Sequence, residues 1–327
     1  MASPLFSESE RLRRIYQVLV LFYQEHRSQA EIARHMGISP ATINRMIREG
    51  HERGLVEIKL RAPFGMEAEL KSELKRLGNL TSAVAVHAPS SDPAIVLKSV
   101  AETAAMTLLD QLSDGMTIAV SGGEGLCALI EAIAPKRTYD VRVIPATGGV
   151  QGRFRTDVNH VAAALAEKLG GLAYQLYAPV FAANEDERAA LMRTEANQSV
   201  LDMAKKADIA VFGIGSVLEA DSTYLSLTDA IGREALELAR PAGEVLAHLV
   251  TETGELCDHP TNRRLVALTL EELAGIPNRI AIASGSQKVA PIAAVLSGGL
   301  ASNLITDERT ATAVVAMMKG RKDAVEA

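Results

Sequence analysis

The stretch Ser28–Gly54, SQAEIARHMGISPATINRMIREGHERG, decides how the front of this 327-residue chain folds. Ser28 with Glu31 three residues later forms a capping box, so a helix is expected to start there. Its apolar face is Ala30, Ile32, Ala33 and Met36. Gly37 is placed to take the positive φ that ends a helix, Ile38 plugs the corner, and Ser39 with Pro40 reads as the N-cap and first residue of a second helix. In that helix Ile43, Met46 and Ile47 recur at helical spacing, which turns Ala41, Thr42, Asn44, Arg45 and Arg48 outward. Two short helices joined this way are the pattern of a helix-turn-helix whose second helix enters a DNA groove. An αα-hairpin in a bundle can share the glycine turn. The coincidence of capping box, small Ala33, turn glycine and second N-cap favours the DNA reading.

The candidate DNA contacts follow from that geometry. Ser28, Gln29 and Ser39, at the two helix starts, are counted among the DNA-binding candidates. Thr42 and Asn44, with Ala41, are near enough to the N-terminal end of the second helix to read base edges, and Arg45 and Arg48 suit guanine or phosphate. Residue type alone does not divide these roles. On either side, Ser9 to Arg27 reads as an amphipathic helix carrying Leu12, Ile15, Tyr16, Leu19, Val20 and Tyr23, and LVEIKL (Leu55 to Leu60) as a strand.

Composition agrees. The net charge is −6, yet residues 1–61 hold ten Lys and Arg against seven Asp and Glu, a balance of +3 that leaves −9 on the remainder. The basic excess sits where phosphate neutralisation needs it. Its small size points to an oligomer presenting several such units. Hydrophobic residues make up 48% and charged residues 23%, the balance of an ordinary globule. No apolar run is long enough to span a bilayer and the start MASPLFSESERLRR lacks a signal-peptide core, so a cytoplasmic protein with no membrane partner is expected. Cys127 and Cys257 show no paired spacing and read as small buried hydrophobes. The seven histidines are scattered without metal-ligand spacing. No metal or cofactor is expected.

A boundary is expected at RAPFG (Arg61 to Gly65), giving a DNA-binding domain over 1–61, a linker and connecting helix over 62–80 (helix Met66 to Leu77), and an effector and oligomerisation domain over 81–327. Beyond Ala83, short β-branched runs alternate with helix-length segments. The strands expected are Ala83 to His87, Met116 to Ser121, Val141 to Ala146, Ala173 to Ala178, Asp208 to Gly215, Glu244 to Val250, Arg279 to Ser284 and Asn303 to Thr306. This is the pattern of an α/β domain, a doubly wound and mainly parallel sheet covered on both faces. Ligands in such folds bind beyond the carboxyl ends of the strands. The loops there are SGGEG (Ser121 to Gly125), TGGVQG (Thr147 to Gly152), GIGS (Gly213 to Ser216, with Gly215) and SGSQK (Ser284 to Lys288). Their glycines let backbone N–H groups approach a polar ligand, and Lys288 adds a cation at a helix start. Glu124, inside the first loop, would repel phosphate but accept hydrogen bonds from sugar hydroxyls.

With these segments in hand the chain resembles the SorC family, the DeoR-type sugar-binding transcription regulators. SQAEIARHMGISPATINRMIREGHERGLVEI is similar to the family's DNA-binding segment. ATGGV, YAPVFA, ADIAVFGIGS, DHPTNRRLVALTLEELAGIPNRIAIASGSQK and GGLASNLITDERTA are similar to successive blocks of its effector domain. The resemblance implies an effector fold like that of sugar-phosphate isomerases and glucosamine-phosphate deaminases, with a pocket using Ser121, Gly122, Gly123, Thr147, Gly148, Gly149, Glu244 and Lys288. It also implies homodimers or homotetramers gripping operator DNA. The chain departs where many members have Trp-Gly-Arg-Thr or Trp-Gly-Arg-Ser: here Gly122, Gly123, Glu124 and Gly125 lack the hydroxyl and the Arg. The departure favours an unphosphorylated sugar or polyol, or a phosphate seated at Thr147 and Lys288.

The expected function is therefore a DNA-binding regulator of a carbohydrate or polyol catabolic operon, controlled by a small sugar, polyol or sugar phosphate. The alternative is a sugar-phosphate isomerase or deaminase, for which an acid/base pair would have to come from Asp258 and His259 or from His160. A DNA-binding scaffold without a ligand is a third reading, disfavoured by the loops.

Overall fold

A computed structural model describes residues 8–57, 67–88, 90–152, 154–217, 224–225 and 230–326. The chain divides into two compact units, Met1–Pro63 and Phe64–Ala327.

Among its described residues the first unit has three helices, α1 (Glu8–Leu19, prolonged by a wider turn at Val20–Gln24), α2 (Gln29–Met36) and α3 (Pro40–Glu52). The local signals act as the sequence implies. Ser28 Oγ accepts from the Glu31 N–H while the Ser28 N–H donates to Glu31 Oε2 at 2.9 Å, Gly37 ends α2 with φ 66°, and Ser39 Oγ accepts from the Thr42 N–H at 3.2 Å. Ile15, Val18, Leu19, Leu21, Ile32, Ala33, Ile43 and Ile47 form the core. Gly50 lets α3 approach α1 closely, since a Cβ there would lie 2.7 Å from Leu19 Cδ1. Three expectations fail. Tyr16 is 60% exposed, with Val18 buried instead, and Ala30 faces outward. Leu55 to Glu57 form no strand, because the Leu55 N–H is spent closing α3 onto Gly50 O (2.9 Å) after Gly54 turns with φ 68°. Ile58 to Leu60 lie outside the described residues.

The second unit runs α4 (Glu67–Gly78), β1 (Ser82–Val86), α5 (Pro93–Gln111), β2 (Thr117–Val120), α6 (Glu124–Ala132), β3 (Arg142–Pro145), α7 (Val158–Leu169), β4 (Leu172–Ala173), α8 (Glu185–Arg193), α9 (Glu195–Ala204), β5 (Ile209–Gly215) and α10 (Ala230–Ala239). It continues with β6 (Gly243–Val245), β7 (His248–Val250), α11 (Pro260–Arg264), α12 (Leu270–Gly275), β8 (Asn278–Ile282), α13 (Val289–Ser297), β9 (Asn303–Asp307) and α14 (Glu308–Glu326). Parallel strands stand in the order β1-β9-β8-β5-β2-β3-β4, as expected for a doubly wound sheet. Alternate side chains sort to two cores. Ala119, Ile144, Phe212, Ala281 and Leu304 face the layer of α4, α9, α13 and α14, whereas Ile118, Val143, Val211, Ile280 and Ile305 face α5, α6 and α7.

Three segments differ from their expectation. α4 packs with the second unit, since Leu74 and Leu77 enter its core and Lys319 Nζ reaches Glu73 Oε2 at 2.7 Å. The run Ala173 to Ala178 is a strand only at its start: Asn159 captures Leu176, accepting its N–H at 2.9 Å and donating to its carbonyl at 3.3 Å, and this draws the chain off the sheet edge. Glu244 to Val250 is a hairpin, because Leu246 (φ 49°) and Ala247 (φ 62°) adopt the left-handed turn that joins β6 to β7. β6 pairs antiparallel with the end of β5, placing Glu244 opposite Gly215.

Candidate functional site

β2, β3 and β4 wind to one side of the sheet, while β5, β8 and β9 wind to the other. The carboxyl ends of β2 and β5, side by side, mark the point where the winding reverses. A cavity of about 390 Å³ opens there, within the roughly 300–1,000 Å³ of small-molecule sites.

Of the residues expected in the pocket, Ser121, Gly122, Gly123, Glu124, Thr147, Gly148, Gly213, Gly215, Glu244 and Lys288 all line this cavity. Ser121 ties two loops together, its buried Oγ accepting from the Gly213 N–H at 3.2 Å and donating to Gly122 O at 3.0 Å. Close approach explains two glycines: a Cβ on Gly122 would fall 2.4 Å from Thr156 O, and one on Gly148 would fall 2.3 Å from Pro179 O. Thr147 is buried and its Oγ1 donates to Gly148 O at 3.1 Å. Gly149 is the exception. It does not line the cavity; its N–H donates to Ala178 O (2.8 Å) and its carbonyl accepts from Val180 (2.9 Å), so its role is to stitch the loop to the following segment.

Two helix starts at the cavity lack the side-chain cap that several other helices of this unit carry. Asp92, Asp157, Asn184, His259 and Thr269 cap α5, α7, α8, α11 and α12 with side-chain acceptors. α6 and the short turn Ser286–Lys288 ahead of α13 begin instead at Gly123 and Gly285, neither of which offers a side-chain cap. Their first N–H groups are left to a ligand or to solvent, with the positive end of the backbone dipole behind them.

The ionisable groups in the wall are shifted by burial. Glu244 fills the space that a side chain at Gly215 would take, and its Oε2 accepts from the Ala247 N–H at 2.9 Å. Desolvation raises its carboxyl above the usual range, against the opposing pull of the Lys288 charge and of that N–H. Tyr224, which sequence reasoning missed, also lines the cavity. Its hydroxyl lies 2.6 Å from Thr261 Oγ1, which is 2.7 Å from His259 Nδ1, and burial pushes the phenol well above its ordinary value. Gln287 completes the SGSQK loop on the cavity wall, and Leu97, Val150 and Val180 give it apolar surface. Arg155, also unforeseen, pairs with Glu124 and holds Glu131 at 2.9 Å. The signal for Arg155 lay in the basic tail of the second glycine loop; Tyr224 left none.

The acid/base candidates lie apart from the cavity. His259 is buried as the cap of α11, Asp258 pairs with Arg263 at 2.6 Å, and His160 stands in the first turn of α7, where its backbone N–H donates to Asp157 Oδ1 at 3.4 Å. None lines the cavity. Among the described residues no group of His, Cys, Asp and Glu is placed to hold a metal ion, and no helix is long and apolar enough to cross a membrane.

In the first unit Ala41, Asn44, Arg45 and Arg48 share the exposed side of α3, with Thr42 and Gln29 partly exposed. Ser28 and Ser39 are exposed caps, and the Ser39 and Thr42 hydroxyls lie 2.9 Å apart. Three other arginines of this unit are engaged: Arg11 and Arg53 both bind Glu49 (2.7 and 2.9 Å), and Arg27 binds Glu25 at 2.7 Å. Arg45 and Arg48 enter no ion pair among the described residues.

Known proteins carry the same combination. Residues 10–52 match region 4 of the sigma-70 factors, a helix-turn-helix module, and residues 62–316 match the sugar-binding domain family Sugar-bind. The chain is 28% identical over 298 residues to the deoxyribonucleoside regulator of Bacillus subtilis, covering 90% of this chain and 95% of that one. It is 25% identical over 308 residues to the sorbitol operon regulator of Klebsiella pneumoniae, covering 93% and 98%. The full-length crystal structure of that sorbitol regulator, SorC, superposes with a TM-score of 0.74 at 24% identity over 93% of this chain and 98% of that chain. A sugar-binding domain of a Vibrio fischeri transcriptional repressor gives 0.71 at 26% identity, over 77% and 99%. A match running through nearly the whole second unit, behind a helix-turn-helix, settles the affiliation: the chain belongs to the Sugar-bind family, the sugar-binding transcriptional regulators of SorC type.

Proposed function

We infer that this regulator binds operator DNA of a carbohydrate or polyol operon through α3, and that a small sugar, polyol or sugar phosphate in the second-unit cavity changes that binding. The observation that carries the reading is the pair of glycine-capped helix starts at the reversal point of the sheet. They present N–H groups to hydroxyl or anionic oxygens, with Glu244 and Lys288 within the same wall. Ser121, Gly122, Gly123, Thr147, Gly148, Gly213, Gly215, Glu244 and Lys288 form the effector site in this reading, and Tyr224 and Gln287 join them. Ser28, Gln29, Ser39, Ala41, Thr42, Asn44, Arg45 and Arg48 form the DNA surface.

The protein acts as a homodimer or homotetramer in the cytoplasm and catalyses no reaction. A modest basic excess per unit supports multiple copies on one operator, and the engagement of Asp258 with Arg263 and of His259 as a helix cap, with neither these nor His160 lining the cavity, supports a binding rather than a chemical role. Regulation needs a coupling of only about 1–3 kcal/mol between effector and DNA.

The test begins with a thermal-shift screen of the full chain over sugars, polyols and their phosphates. Each hit is then titrated into a complex with a duplex selected from random DNA. A stabilising compound that shifts DNA affinity several-fold supports the reading. Stabilisation without any change in DNA affinity, or turnover of the compound, overturns it.

A further inference from the structure

The cations placed around the cavity already have partners. Glu124 is the first residue of α6, directly after the uncapped Gly123, where the helix start would otherwise receive a ligand anion. Its side chain lines the cavity and is gripped by Arg155, which also holds Glu131. Deeper in, the Lys288 charge acts on Glu244. Among the described residues that line the cavity, Glu124, Glu244 and Lys288 are the acidic and basic ones; with Arg155 and its second partner Glu131 added, three acidic groups face two basic ones.

We propose that Glu124, held by Arg155, occupies the anion seat of the first glycine loop, so that the effector is an uncharged polyhydroxy compound, a free sugar or polyol, and not its phosphate. The proposal rests on the effector reading above and narrows its ligand class. A phosphate monoester brings a charge of about −1.5 to −2 near neutral pH. In this cavity it would meet a carboxylate at the helix start and find no cation lacking a counter-charge. Hydroxyl groups fit the same place: Glu124 accepts from them, and the first N–H groups of α6 donate to them. The Glu124 and Arg155 side chains are more than half exposed, so they can carry such a ligand at the cavity mouth without a buried unpaired charge.

The test uses the full chain as wild type, Glu124→Gln and the double variant Glu124→Gln with Arg155→Ala, with inorganic phosphate as the probe. Calorimetry with matched pairs, such as sorbitol and sorbitol 6-phosphate or ribose and ribose 5-phosphate, runs beside it. Wild type should give no saturable response to millimolar phosphate. Glu124→Gln should bind phosphate at least about tenfold more tightly, since one like charge is removed and Arg155 keeps only Glu131 of its two carboxylate partners; the double variant should lose that gain. In any pair that binds wild type, the unphosphorylated member should bind more tightly. Phosphate binding by wild type, no gain in Glu124→Gln, a gain that survives loss of Arg155, or preference for a phosphorylated member overturns the proposal. If the phosphate results come out as expected while no sugar alters DNA binding, the regulatory reading falls instead.

Discussion

Replacing Arg45 and Arg48 together by alanine tests the DNA surface most directly. Both side chains are exposed on α3 and enter no ion pair among the described residues, whereas Arg11, Arg27 and Arg53 are held by glutamates of the same unit. Removing the two should leave the Ile15, Ile32, Ile43 and Ile47 core intact and change stability by no more than about 0.5 kcal/mol. Each hydrogen bond to a charged group contributes about 1.5–3 kcal/mol, so loss of two contacts per unit weakens DNA binding by about 3–6 kcal/mol, or two to four powers of ten. If both meet phosphate, the slope of log affinity against log salt falls by about 0.9 for each, close to two per bound unit. Fluorescence anisotropy on a labelled operator duplex and on an unrelated duplex, across a potassium chloride series, measures both quantities. A loss confined to the operator would reassign the pair to base reading. Wild-type affinity and salt slope in the double variant, with an unchanged melting temperature, would refute the assignment of this face to DNA.

Three further outcomes are expected. Gly148→Ala forces a Cβ to within 2.3 Å of Pro179 O, a backbone atom that cannot swing aside, and should cost about 1–3 kcal/mol in urea unfolding and abolish effector-induced stabilisation. Retained stabilisation at wild-type ligand concentrations would show that the loop tolerates a side chain. Ile47→Ala, at a position 7% exposed, should destabilise the first unit by about 2–5 kcal/mol; calorimetry should show the transition of the second unit unmoved, and a common shift of both would count against independent folding. His248 is buried, and desolvation pushes its imidazole down from 6.5 to about 4 while its Nε2 lies 2.7 Å from Leu268 O. Because the folded pKa lies below the unfolded one, the unfolded chain takes up the proton first as pH falls. The stability this group contributes is whole above about pH 6.5 and is lost progressively down to about pH 4, a loss on the order of 3 kcal/mol. In His248→Gln the unfolding free energy should fall correspondingly less between pH 7 and 4, and an identical pH profile would contradict the assignment.

How much could be read beforehand depended on the range of the interactions. Ser28 with Glu31, Gly37, and Ser39 with Pro40 act within a few residues of themselves, so the helix-turn-helix was legible to the residue. The strands of the parallel sheet other than β4 were equally plain, because buried strands need continuous apolar runs. The turn in EVLAHLV was hidden, since Leu246 and Ala247 take positive φ without being glycine and carry no turn signal. Tyr16 and Ala30 were placed inward by periodicity alone, yet each lies at the margin of its helix's buried stripe. In the site, the glycine loops were visible as a class, but Gly148 and Gly149 look alike in sequence and only the closeness of Pro179 and Ala178 separates cavity wall from stitching. Arg155 and Tyr224 reach the site through tertiary placement from segments not singled out as pocket-forming.

The hairpin laid against β5 has one more implication. The Glu244 carboxyl sits where a side chain on Gly215 would be, so close that a Cβ there would lie 1.9 Å from Oε1. The two positions therefore form a single unit of heredity. A side chain at 215 has to push the Glu244 carboxyl off the Ala247 N–H that it accepts from, and a lineage that has lost Glu244 is freed to fill 215. Changes at the two positions are therefore coupled, and a substitution at 215 is expected to travel with one at 244.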